Sequence, residues 1–164
     1  MLDPFPLATV GPLFLLAPLL CAVAYFDLRY MRIPNWLSLL ALATFALACL
    51  IAPPEDLGPR LLAGGSVFLL GFAAFALGLI GGGDVKILSC LTLFIPASGL
   101  AGFAQLFALS LAVGIVGLTL LRAIRPLRHI GWLGLAEQRG FPMGISIAMA
   151  GLAYTLIVTL PSLA

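Results

Sequence analysis

Charge is scarce in this sequence: eight basic and six acidic residues in 164, or 9 %, where soluble domains carry about 25 %. A water-soluble fold is excluded, because too little polar surface is available to cover so apolar a chain. Histidine is scarcer still, with His129 alone, and it falls in a connector. The three cysteines, Cys21, Cys49 and Cys90, stand singly inside apolar runs with no C-x-x-C pair. Neither a zinc site nor a disulfide framework is supported, and the thiols read as small buried hydrophobes. No cofactor is expected. The net charge of +2 comes from scattered residues and not from a basic patch, which argues against nucleic-acid binding. No low-complexity stretch interrupts the chain, so residues 1–164 read as one membrane-embedded domain.

What the sequence has is hydrophobicity, 63 % of residues, gathered in five uncharged runs: 7–26, 36–52, 61–80, 87–121 and 143–160. A helix needs about 20 apolar residues to cross roughly 30 Å of hydrocarbon, so four of these runs fit one crossing each. The run 87–121 would make a helix of roughly 50 Å and must turn back. Pro96-Ala97-Ser98-Gly99 is the place for that turn. The expected fold is all-α: a polytopic membrane protein with six transmembrane helices in one bundle. Basic residues test the count independently, because short cytoplasmic loops are enriched in Lys and Arg. With both termini outside, connectors 27–35, 81–86 and 122–142 are cytoplasmic and hold Arg29, Arg32, Lys86, Arg122, Arg125, Arg128 and Arg139. Only Arg60 falls outside, beside Glu55 and Asp56. The lipid bilayer is thus the chain's solvent, and a bacterial inner membrane its expected location. Ala22-Val23-Ala24 has the form of a leader cleavage site, yet no basic residue precedes this long apolar run, so it reads as a span.

Three local patterns bear on the bundle. Gly64, Gly71 and Gly78 recur every seven residues and predict one helix face that a neighbouring backbone approaches closely. In the connector 122–142, Leu127, Ile130, Leu133 and Leu135 alternate with polar residues, and Trp132 suits the headgroup region, which predicts a short interfacial helix. The fourth span, 84–95, offers about 18 Å of helix and is too short to cross. If it starts below the surface, Gly81, Gly82 and Gly83 lie at membrane depth as irregular backbone beside an aqueous pocket.

Two of the six acids, Asp27 and Asp84, abut spans on the cytoplasmic face. Asp3, Glu55 and Asp56 fall outside, and Glu137 lies in the long connector. Peptide hydrolysis needs a base to activate water and an acid to polarise the carbonyl. Two close aspartates supply both, since like charges in one site do not ionise together and the pair holds one proton. Asp84 opens a helix, where the macrodipole favours negative charge, and Asp27 closes one. Asp84 is therefore expected to start as the base and Asp27 as the acid. Either residue alone also fits a plain helix cap or a surface acid beside Arg29. Lys86 reads as a snorkelling anchor, or as a partner for Asp84 or for a substrate carboxylate. Pro34 and Asn35 read as the start of the second span, with catalytic support as the alternative.

At these residues the sequence resembles the type IV prepilin peptidase family, GxGD-type membrane aspartic proteases, and in particular its short members that serve Flp-type (tight adherence) pili. Asp27 followed by Ile33-Pro34-Asn35 is similar to the family's D-x5-IPN motif. Gly81-Gly82-Gly83-Asp84-Val85-Lys86 resembles GxGD-[VA]-K, and the segment Phe141 to Ala148 resembles a late PYG-x-AI element, with Met143 in place of Tyr. The resemblance implies that Asp27 and Asp84 are the catalytic pair. It also implies that a prepilin or pseudopilin is cut between its basic leader and its hydrophobic stem. Long members carry paired C-x-x-C motifs and methylate the mature pilin; with none here, cleavage without methyl transfer is expected. The rival reading is a non-enzymatic assembly or transport component whose intramembrane carboxylates relay protons.

Overall fold

In the computed structural model, residues 7–124, 131–136 and 140–163 are described. Among the described residues seven α-helices follow one another: α1 (Leu7–Tyr30), α2 (Asn35–Ile51), α3 (Leu57–Ala76), α4 (Gly82–Leu93), α5 (Leu100–Ala123), α6 (Leu133–Ala136) and α7 (Met143–Leu163). No strand occurs among the described residues. Helix is the natural outcome for chains in lipid, where every backbone N–H and C=O must find its partner within the segment. Three segments are long and apolar enough to cross a membrane: 13–30, 57–76 and 97–123. The apolar helices 35–51 and 143–159 are shorter. Leu50 and Ile51 are 82 % and 85 % exposed, an outward apolar face that suits lipid contact.

The turn expected at 96–99 is present: Pro96 precedes a single 3-10 turn, Ala97–Gly99, which leads directly into α5. Pro34, with φ −62° and ψ 140°, stands just before α2, so Pro34 and Asn35 do start that helix. Pro12 and Pro18 fall within α1 and do not end it. Of the expected connector helix the structure contains α6, four residues whose Gly134 and Leu135 are buried against the bundle. The rest of that expectation, at 125–130 and 137–139, lies outside the described residues, as do Asp3, Arg125, Arg128, His129, Glu137 and Arg139.

α4 is the shortest of the long elements and the most enclosed. It packs on α2, α3 and α7, and Val85, Ile87, Leu91 and Leu93 are buried. α1 packs chiefly on α7, which also carries α5. α3 is peripheral and touches the bundle along a glycine seam. A Cβ at Gly64 would lie 2.5 Å from Leu93 Cδ2, and one at Gly71 would lie 2.8 Å from Val85 Cγ1. Gly78 departs from the expected pattern. It has φ +72° and ends α3, donating to Phe75 O at 2.9 Å while Leu79 donates to Ala74 O at 3.0 Å. This left-handed turn closes the helix, and packing is not its role.

At the far end of α3 sits a polar latch. Arg60, 4 % exposed, pairs with Asp56 Oδ1 at 2.6 Å and donates to Phe94 O at 3.0 Å. Asp56 Oδ2 accepts the Ala97 N–H at 2.9 Å. The start of α3 is thereby tied to the α4–α5 turn. Partial burial pushes the Asp56 carboxyl up, but the Ala97 N–H and the Arg60 guanidinium outweigh it and hold the group below its ordinary value.

Candidate active site

The core-facing residues of α1 run Leu16, Leu20, Val23 and then Asp27, spaced by four, three and four. That is one helical stripe, and its last member is a carboxylate only 5 % exposed. Three residues on, α1 ends at Tyr30, and Met31 enters the left-handed region at φ 49° with its N–H bonded to Asp27 O at 2.8 Å. A non-glycine residue held there is uncommon and redirects the chain sharply toward Ile33-Pro34-Asn35.

Asp84 lies in the first turn of α4. The glycine run is less irregular than expected: only Gly81 is extended, at φ −75° and ψ 140°, and Gly82 and Gly83 are already helical. The Gly81 N–H is directed back toward the Asp84 carboxylate, whose Oδ2 lies 2.6 Å from where a Gly81 Cβ would be. The other oxygen, Asp84 Oδ1, is buried with no hydrogen-bond partner. A capping carboxylate needs one oxygen only, and an orphaned buried oxygen calls for another explanation.

The two aspartates share a cavity. Its volume is about 260 Å³, and Met31, Arg32, Ile33 and the three glycines 81–83 complete its lining. At roughly 30 Å³ per water, the cavity has room for a water and a peptide group together. Its walls depend on missing side chains. A Cβ at Gly81 would fall 2.6 Å from Asp84 Oδ2, and one at Gly83 would fall 3.0 Å from Ile33 Cβ.

Beside the cavity, Lys86 Nζ donates to Asn35 Oδ1 at 2.9 Å, which joins the two motif segments. This tie to the start of α2 is a partner that none of the sequence readings of Lys86 named. Arg29 turns away, stacking on Tyr25 and Tyr30 at 5.6 and 5.2 Å and hydrogen-bonding the Tyr25 hydroxyl. Around it Phe26, Trp36 and Trp132 complete an aromatic cluster of the kind that sits at headgroup level.

Sequence reasoning missed what holds Asp27. Asp27 Oδ2 accepts the Gly144 N–H at 2.6 Å, and the Ile145 N–H is also directed at the carboxylate. Both amides belong to the first turn of α7, where N–H groups have no partner within their own helix. A Cβ at Gly144 would lie 2.8 Å from Asp27 Oδ2 and 2.9 Å from Ile33 Cδ1. The connector into α7 is held in turn by Arg122, which donates to Gly134 O at 2.7 Å and Gly140 O at 2.7 Å. Gly134 rests on the α1 backbone, where a Cβ would be 2.5 Å from Leu28 O. The one sequence signal was the late segment containing Gly144; Met143 in it packs against the core. Among the described residues no cluster of His, Cys, Asp and Glu suits a metal ion.

No curated protein and no solved structure matches the chain. The family described as type IV leader peptidase matches over residues 14–121, well over half of the sequence, and that span includes Asp27, Ile33-Pro34-Asn35 and the whole glycine motif. With its apolar helices, the protein is an integral membrane peptidase belonging to the type IV leader peptidase family.

Proposed function

We propose that this protein is an aspartic endopeptidase that removes the basic leader from prepilins, of Flp type by resemblance, at the cytoplasmic boundary of a bacterial inner membrane. The observation that carries the reading is the single cavity lined by both Asp27 and Asp84. In this reading α4 is the short one of six spans, both termini face outward, and the cavity opens at the inner leaflet. The aromatic cluster beside Asp27 and the basic residues Arg29, Arg32 and Lys86 near it support that orientation.

The hydrogen bonds favour roles opposite to those expected from each aspartate's own helix. Asp27 accepts amides at the start of α7, which stabilise an anion, whereas Asp84 Oδ1 is buried without a donor, which favours the protonated acid. In the proposed mechanism Asp27 takes a proton from water as the oxygen attacks the scissile carbonyl carbon. Asp84 gives its proton to the carbonyl oxygen. When the tetrahedral intermediate collapses, Asp84 takes that proton back, and Asp27 passes its own to the leaving amine as the C–N bond breaks. The charges balance and no other group is needed.

Cleavage of a purified prepilin by the reconstituted full chain tests the proposal. Asp27→Asn and Asp84→Asn are each expected to lower kcat by about 10³-fold or more while the variants still insert and purify as folded protein. Retention of cleavage by either variant would sink the two-aspartate mechanism. Normal growth of pili in cells carrying both would instead favour a structural role.

A further inference from the structure

α2 and α3 both pack on α4 but scarcely on one another, and the gap between them is a groove of about 580 Å³. Large side chains, Leu39, Leu42, Leu61 and Phe68, form its rim. Its floor is small: Ser38, Gly64, Gly65, Ser89 and Cys90. Acyl chains fill any apolar shape, but a floor of small residues is what lets the backbone of another helix come close inside a bilayer. Ser38 also lines the groove, but its hydroxyl is enclosed by the protein's own atoms, so the case for a helical occupant rests on this small floor and on what the groove adjoins.

The groove adjoins the aspartate cavity along α2 and α4. Ile33 and Gly83 line the cavity, and Asn35 and Lys86, two and three residues further on, line the groove. Lys86 is its one charged lining residue and sits at that shared end. One of the three ammonium N–H bonds goes to Asn35 Oδ1, which leaves two donors. From Lys86 to Leu93 the floor runs for roughly two helical turns, about 10 Å.

We infer that this groove receives the apolar helix that follows the scissile bond of the substrate. Carbonyl oxygens of the extended segment between that bond and the helix lie against Lys86, and the helix backbone lies over Gly65 and Ser38. The inference rests on the peptidase reading and assigns the surface that reads the substrate's membrane segment. Cutting specificity then belongs to the intramembrane groove as much as to the residues beside the aspartates.

Two measurements on the full chain in phosphatidylethanolamine–phosphatidylglycerol nanodiscs test it. In the first, a prepilin carrying a benzophenone side chain in its apolar segment is irradiated with the Asp84→Asn variant, and the adducts are mapped. Adducts at Leu42, Leu61 or Phe68 are expected. Adducts confined to α5 or α7, to lipid, or to a second copy of the peptidase would overturn the proposal. In the second, Gly65→Leu narrows the groove from a position where nothing lies within 4 Å of a Cβ. It is expected to raise KM for prepilin at least tenfold, with a smaller change for a short soluble peptide spanning the cleavage site. Gly58→Leu, equally free of contacts but outside the groove, is the neutral control. An unchanged KM for Gly65→Leu would overturn the proposal. If the wild-type chain cuts neither substrate, the peptidase reading fails, while the adduct map still decides where the helix binds.

Discussion

A side chain at residue 144 would bring its Cβ to within 2.8 Å of Asp27 Oδ2, so even one methyl group must displace the carboxylate that its own amide holds. Gly144→Ala is expected to lower kcat about a hundredfold, the scale of an ångström-sized misplacement of a reacting group. Gly117→Ala, on α5 with nothing within 4 Å of its Cβ, is expected to leave activity unchanged and to shift stability by no more than about 1 kcal/mol. Prepilin cleavage and thermal unfolding of the two variants side by side separate a site effect from helix propensity. That Asp27, Asp84 and glycines 81–83 would line one cavity was legible in the sequence, because ionisable groups beside apolar runs are rare and stand out. The hydrogen-bond partner of Asp27 was not. Dipole reasoning assigned each aspartate to the end of its own helix, whereas the donor that matters to Asp27 comes from a helix start 117 positions away. No local pattern encodes that partner.

Among the elements, α3 packs chiefly on a single neighbour, α4, and on the turn that follows it. Its outer face is lipid-exposed and its inner face is a glycine seam, so the Asp56–Arg60 latch holds its start to the α4–α5 turn. Asp56→Asn leaves the Arg60 charge buried without its anion and is expected to cost on the order of 2 kcal/mol, read as a lower unfolding midpoint in detergent. Because the Asp56 carboxyl is held below its ordinary value in the folded protein, its contribution is present above that ordinary value. It is lost as pH falls through the lowered one. Stability of the wild type is therefore expected to drop below about pH 4, and the Asp56→Asn variant is expected to lack this part of the drop. Helix existence and the turn at Pro96 were readable from run length and proline. The start of α4 and the function of Gly78 were not, since a glycine reads alike whether it packs, caps or turns, and only φ and the neighbouring atoms separate these uses.

For the whole molecule, the sequence announced an all-helical membrane bundle through composition and the spacing of its few charges, and five of its helices are apolar enough to be identified as such from sequence. Which helices touch was hidden, because in lipid nearly every face is apolar and periodicity no longer marks the inside. The candidate active site is assembled from α1, α4 and α7, that is, from the beginning, middle and end of the chain. A protein stopped at residue 142 is expected to insert normally and cleave nothing, and co-expression of the missing segment 143–164 is expected to restore part of the cleavage; immunoblots of the substrate check both. The bond from Gly144 to Asp27 also fixes an order of events during biosynthesis. Both aspartates leave the ribosome and enter the bilayer before the residue that orients the first of them has been translated. In the proposed peptidase reading, a nascent chain thus carries both carboxylates before the amide that orients Asp27 exists, and it is expected to stay inert until the last helix arrives.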